Sequence, residues 1–72
     1  MNVSKFLREE AGLSAKVINN LNKRSVRRGF SFRKIGAVYI KEFDDGLYVC
    51  LENHETGEAI GYSLAYYRSM NK

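Results

Sequence analysis

The chain has 72 residues, with 12 Lys/Arg against 8 Asp/Glu, one His, one Cys and no proline or tryptophan. A lone cysteine excludes an internal disulfide, and one histidine beside it leaves no metal-ligand set. The longest apolar runs, AVYI and LYVCL, fall far short of the roughly 20 residues that cross a bilayer.

A chain this short is expected to form a single domain, 1–72, burying only about 60 % of the surface its unfolded state exposes. No secretory-type apolar run opens the sequence, so a reducing, cytoplasmic setting without membrane contact is expected. In chain order, Val3, Phe6 and Leu7 have helical spacing, and Gly12 suits the left-handed residue that ends a helix. Ser14 is a good N-cap for a second helix with the apolar stripe Val17, Ile18 and Leu21. On a helical wheel Lys16, Asn20, Lys23 and Arg27 fall together, away from that stripe. From Val26 onward the period changes to two. GFSFR, AVYIKEF, LYVCLEN and AIGYSLAYY read as strands rich in aromatic and β-branched residues. Asp44-Asp45-Gly46 suits a tight hairpin turn, and NHETGE at 53–58 a longer one. Residues 65–72 fit either a strand end or a final helical turn. The expected fold class is α+β. Two short N-terminal helices pack on one face of a small, mostly antiparallel sheet of three to four strands.

In a strand, Phe30 and Phe32 share one face and Ser31 and Arg33 the other. Few other side chains can fill so small a core, so both rings are expected inside. Leu47, Val49 and Leu51 alternate with Tyr48, Cys50 and Glu52 in the same way, and Ile60, Tyr62 and Leu64 with Gly61, Ser63 and Ala65. Cys50, between Val49 and Leu51, is expected to be packed rather than reactive.

Charge divides the chain. Residues 1–36 hold nine Lys/Arg against Glu9 and Glu10, and residues 37–72 three basic against six acidic side chains. Between Lys16 and Lys34 there are seven cations and no acid. That asymmetry is a footprint of nucleic-acid binding. Catalytic chemistry has little to build on: His54 lies in a predicted turn without a nucleophile arrangement, and Asp44 and Asp45 are explained by theirs. No enzyme activity and no cofactor is expected.

Three stretches resemble known families. RGFSF at 28–32 partly resembles the first ribonucleoprotein motif of RNA-recognition domains, departing at Ser31, Arg33 and Ile35. LREEAGLSAKVINNL at 7–21 resembles a helix-turn-helix core, with Gly12 at the turn and Arg8 where that motif packs a small residue. VSKFLREEAGLSAKVINNLNKRSVRRG at 3–29 resembles the small RNA-binding domain named after the fourth small-subunit ribosomal protein, found also in many pseudouridine synthases. Val3, Phe6, Leu7, Glu9, Gly12, Leu13, Ser14, Ile18 and Leu21 match that family's pattern, while its V-N-G turn is replaced here by RRG at 27–29. The resemblance implies two helices on a small sheet that grip structured RNA through the second helix and the turn after it.

The expected function is therefore a small nucleic-acid-binding module, with RNA favoured over DNA as partner. Lys16, Lys23, Arg24, Arg27 and Arg28 would contact phosphates, Asn19 and Asn20 groove or base edges, and Arg33 and Lys34 extend the basic surface. Two alternatives stay open: a DNA-binding helix-turn-helix variant, and a small regulator or inhibitor whose partner is a protein held through Tyr and Arg anchors.

Overall fold

The computed structural model describes residues 2–71. Helix α1 (Val3–Glu9) starts at Asn2, whose side chain accepts from the Lys5 amide at 2.9 Å. Val3 and Leu7, one turn apart, are buried, and Phe6 packs partly against them. The chain leaves α1 through Gly12 at φ 71°, as expected, and the Leu13 amide returns to the Leu7 carbonyl at 2.9 Å. Helix α2 (Ala15–Arg27) is capped by Ser14, which accepts from the Val17 amide at 3.3 Å. Its buried stripe is Val17, Ile18, Leu21 and Ser25. The helix therefore runs through Val26, where the sequence suggested a change to strand.

The segment after α2 corrects a second expectation. GFSFR is not a strand. Gly29 takes φ 85°, its amide bonds the Val26 carbonyl at 3.1 Å, and the Phe30 amide reaches the Ser25 carbonyl at 2.7 Å. This pair of bonds across a left-handed residue is a Schellman helix stop. Phe32–Lys34 then form a single 3-10 turn. The reason is the absence of a partner. The first strand, β1 (Ile35–Phe43), pairs with β2 (Gly46–Asn53) only as far back as Ile35 opposite Asn53, where β2 ends in its own turn. One further bond, from the His54 amide to the Lys34 carbonyl at 3.0 Å, closes the pairing, and β2 turns away after Asn53. Phe30 still reaches the core at 8 % exposure, whereas Phe32 is half-buried at its margin. The placement of both rings inside holds fully for Phe30 alone.

The sheet continues to β3 (Ala59–Ser63) in the order β1-β2-β3, antiparallel throughout. Val49 and Leu51 present one face to the helices and are fully buried, and Tyr62 from β3 joins them, whereas Leu47, expected with them, is 40 % exposed near the hairpin and Cys50 on the other face is 6 % exposed. Residues 64–68 form a short helix, α3 (Leu64–Arg68), capped by Ser63 on the Tyr66 amide at 3.3 Å. Leu64 and Tyr67 of α3 are buried, so the strand expected through Tyr67 stops at Ser63, and the open choice after it falls to helix. Lys72 lies outside the described residues. The segment after α3 locks the helix pair: Asn71 accepts from the Ser14 amide at 2.9 Å and donates to the Gly12 carbonyl at 2.6 Å. Arg68 adds a bond from Nε to the Ala11 carbonyl at 2.9 Å. The α+β arrangement of two N-terminal helices on a three-stranded antiparallel sheet is as expected.

Candidate nucleic-acid interface

A helix that buries Val17, Ile18, Leu21 and Ser25 must turn its other side chains outward, and α2 carries no acid among them. Lys16, Asn19, Asn20, Lys23, Arg24, Arg27 and Arg28 are all exposed. Opposite the buried stripe, Lys16, Asn20, Lys23 and Arg27 form one ridge along the helix. Two different surfaces flank it.

On one flank is a cleft of about 480 Å³, lined by Arg24, Arg27 and Arg28 of α2 and its cap, and by Gly61 to Ser63, Tyr66 and Tyr67 from the β3–α3 corner. Arg24 organises this side. It donates to the hydroxyls of Tyr67 at 3.2 Å and Tyr66 at 3.4 Å, with its guanidinium carbon 5.6 Å from the Tyr66 ring centre. These bonds, to Tyr66 above all, raise the Arg24 pKa above its ordinary value. Tyr66 stands edge-on to Tyr67 at 5.1 Å, and Tyr67 edge-on to Tyr62 at 5.7 Å. The next residue of α2, Ser25, donates to the Tyr62 hydroxyl at 3.1 Å in the buried core. Neighbouring residues of α2 are thus tied to three tyrosines, which sets the cleft's width. Tyr66 remains 49 % exposed.

The other flank is a groove of about 260 Å³ between the helices, lined by Ser4, Arg8, Ala15, Ile18, Asn19, Asn22 and Phe32. Asn19 therefore belongs with Arg8 and the edge of Phe32, and Asn20 with the ridge. Arg33 and Lys34 are exposed in the 3-10 turn and stand apart from the cleft. Arg33 borders a hollow with Asn2, Val3, Ser4 and Phe32. Lys34 belongs to the β2–β3 turn side, its carbonyl accepting from the His54 amide at 3.0 Å. The nine residues expected to bind nucleic acid lie close in sequence but occupy several surfaces.

The wall supplied by Tyr62, Ser63, Tyr66 and Tyr67 was missed in the sequence. The pairing of Arg24 with Tyr66 spans 42 residues, and a five-residue helix is too short to show periodicity. The one local signal was Ser63, a capping residue three positions before Tyr66.

Elsewhere, the outer sheet face carries Tyr39 and Tyr48, each held by an acid. Tyr39 donates to Glu52 at 2.6 Å and Tyr48 to Asp45 at 2.6 Å. Cys50, paired with Tyr39 and Gly61, is 6 % exposed, and burial pushes its thiol pKa up. His54 is an exposed turn residue with Nδ1 2.8 Å from the Lys34 carbonyl. Among the described residues, no three His, Cys, Asp or Glu side chains gather as a metal site. No helix among them is long and apolar enough to cross a membrane. Neither a protein-family model, nor a curated protein, nor a solved structure matches this chain.

Proposed function

We propose that this protein is a small nucleic-acid-binding module that engages RNA through α2 and the arginine-lined corner at its end. The observation that carries the reading is the acid-free exposed side of α2: a ridge of Lys16, Asn20, Lys23 and Arg27 that passes into a cleft holding Arg24, Arg27 and Arg28. Two arginines in the last helical turn would serve the helix dipole alone. The ridge extends that charge over the whole helix, which the dipole does not require. Phosphates spaced along a strand match such a row, and their counterions are released on binding.

RNA is favoured over DNA because the surface combines cations with an exposed tyrosine and short polar groups, which suits irregular, partly single-stranded shapes. The resemblance of residues 3–29 to the ribosomal-type RNA-binding domain points the same way. Titration of a stem-loop RNA at several salt concentrations tests this. With about five phosphates engaged, the log–log slope is near −3.5 on single strands and steeper on duplex. Arg27→Glu with Arg28→Glu abolishes binding and leaves the circular dichroism spectrum intact. Equal or tighter binding to duplex DNA, with a sequence preference lost in Asn19→Ala, would instead make α2 a DNA-recognition helix.

A protein partner is the second reading. At the β1–β2 hairpin Phe43 is 45 % and Leu47 40 % exposed beside Asp44 and Asp45, far in sequence from the basic helix. Binding to RNA that is salt-insensitive or absent would turn attention to that hairpin.

A further inference from the structure

We infer that the cleft between the end of α2 and the β3–α3 corner holds one unpaired nucleotide, its base against Tyr66 and its phosphates on Arg27 and Arg28. This rests on the proposed RNA binding and adds where, and in what conformation, the strand is gripped. The cleft's 480 Å³ falls within the roughly 300–1,000 Å³ of small-ligand sites.

Each wall supplies a different chemistry. Arg27 and Arg28 are exposed cations at one side, and among the described residues no carboxylate lines the cleft. Arg24 already spends donors on Tyr66 and Tyr67, so it positions those rings rather than taking a phosphate. Tyr66 is held perpendicular to Tyr67 at 5.1 Å, with Arg24 over its ring and bonded to its hydroxyl, yet is 49 % exposed. A ring held by these two neighbours, with half its residue surface open, is pre-organised for stacking. The third wall is the outer edge of β3. Among the described residues β2 is the strand paired with β3, so β3 forms an edge of the sheet and lines the cleft through Gly61–Ser63. A fully paired helix could offer phosphates to the arginines but no base face to the ring. An acidic peptide would neutralise the arginines and leave the ring without a stacking partner.

The test compares a stem-loop RNA carrying 2-aminopurine in its unpaired loop with a fully paired RNA of equal length. Wild-type protein binds the loop RNA about tenfold tighter, the size expected for one stacked base, and quenches the fluorophore. Tyr66→Phe keeps the ring and loses the Arg24 bond, so it still quenches the fluorophore and prefers the loop RNA by a smaller factor. Tyr66→Ala and Tyr66→Leu lose both the preference and the quenching, yet bind paired RNA with an unchanged salt slope. Tyr66→Leu keeps bulk against Tyr67, so a loss shared by both variants at normal melting temperature is a loss of stacking. Equal wild-type affinities without quenching would overturn the pocket and leave RNA binding standing. If wild type bound neither RNA, both proposals would fall. Displacement by a poly-glutamate peptide that is itself lost in Tyr66→Ala would assign the cleft to a protein and overturn the nucleotide.

Discussion

The Phe30 amide donates to the Ser25 carbonyl across 2.7 Å, five residues back, while Gly29 between them takes φ 85°. One reversal ends α2 and drives the Phe30 ring into the core. Asn53 adds a bond from its side chain to the Gly29 carbonyl at 3.3 Å, tying the stop to the end of β2. The arginines on either side of the stop are left outside. In this stretch one aromatic ring anchors the turn and the cations are free for other work.

Phe30→Ala should cost about 3–5 kcal/mol, a large part of the stability of so small a fold. Phe32→Ala should cost clearly less, because that ring is half-buried. Gly29→Ala is expected to lose about 1–2 kcal/mol by forcing a side chain into the left-handed region. Urea unfolding of the three variants ranks them. Equal losses for both phenylalanines would contradict the difference in burial.

Asn71 satisfies the Ser14 amide and the Gly12 carbonyl with one side chain. Each such bond contributes roughly 0.5–1.5 kcal/mol, so Asn71→Ala should destabilise the protein by about 1–2 kcal/mol. Amide exchange should rise first in the α1–α2 turn. Unchanged protection at Ser14 would mean that solvent replaces the bond without loss.

Cys50 should be inert in the native state. It is 6 % exposed, and burial raises its thiol pKa above the ordinary 9.0. Reaction with an aromatic disulfide reagent at pH 8 should be slow in buffer and fast in urea, with the native rate limited by opening of the sheet. Rapid native labelling would show that the outer face is open.

Tyr39 provides a pH signature. Its hydrogen bond to Glu52 is the main cause raising its pKa from 10.0 to about 12, and the Asp45 contact moves Tyr48 in the same direction. The folded state favours the protonated phenol, so the contribution is complete below pH 10 and is lost as pH rises toward about 12. Stability should decline over that window, shallowly because these groups face solvent. Tyr39→Phe should flatten part of the decline and remove a late-ionising phenol from the absorbance titration at alkaline pH.

The dispersal of the basic residues has its own consequence. Lys23 lies on the α2 ridge, whereas Lys34 belongs to the side bordered by His54. Under the RNA-binding proposal, Lys23→Ala should reduce the salt slope by about one unit, while Lys34→Ala leaves it unchanged. Equal effects would mean that the RNA wraps past the 3-10 turn.

Local spacing determined the two helices, the Ser14 cap and the inward placement of Val49 and Leu51, because each depends on residues within a turn or a strand of one another. Ser14 three residues before Val17, and Val49 and Leu51 two apart, carry their structure with them. The net charge of α2 was legible for the same reason, since a buried apolar stripe leaves only one direction for Lys16 and Lys23. Tertiary structure decided the rest. Alternation in GFSFR is equally compatible with a strand and with a helix stop followed by a 3-10 turn, and the Gly29 stop, with the β1–β2 ladder ending at Lys34 and His54, gave the second. Ser25 entered the apolar stripe because Tyr62, 37 residues away, offers its hydroxyl there. The cleft needed Arg24 to meet Tyr66 and Tyr67. A contact across more than 40 residues has no local signature, because it forms only when the sheet folds back and brings α3 beside α2.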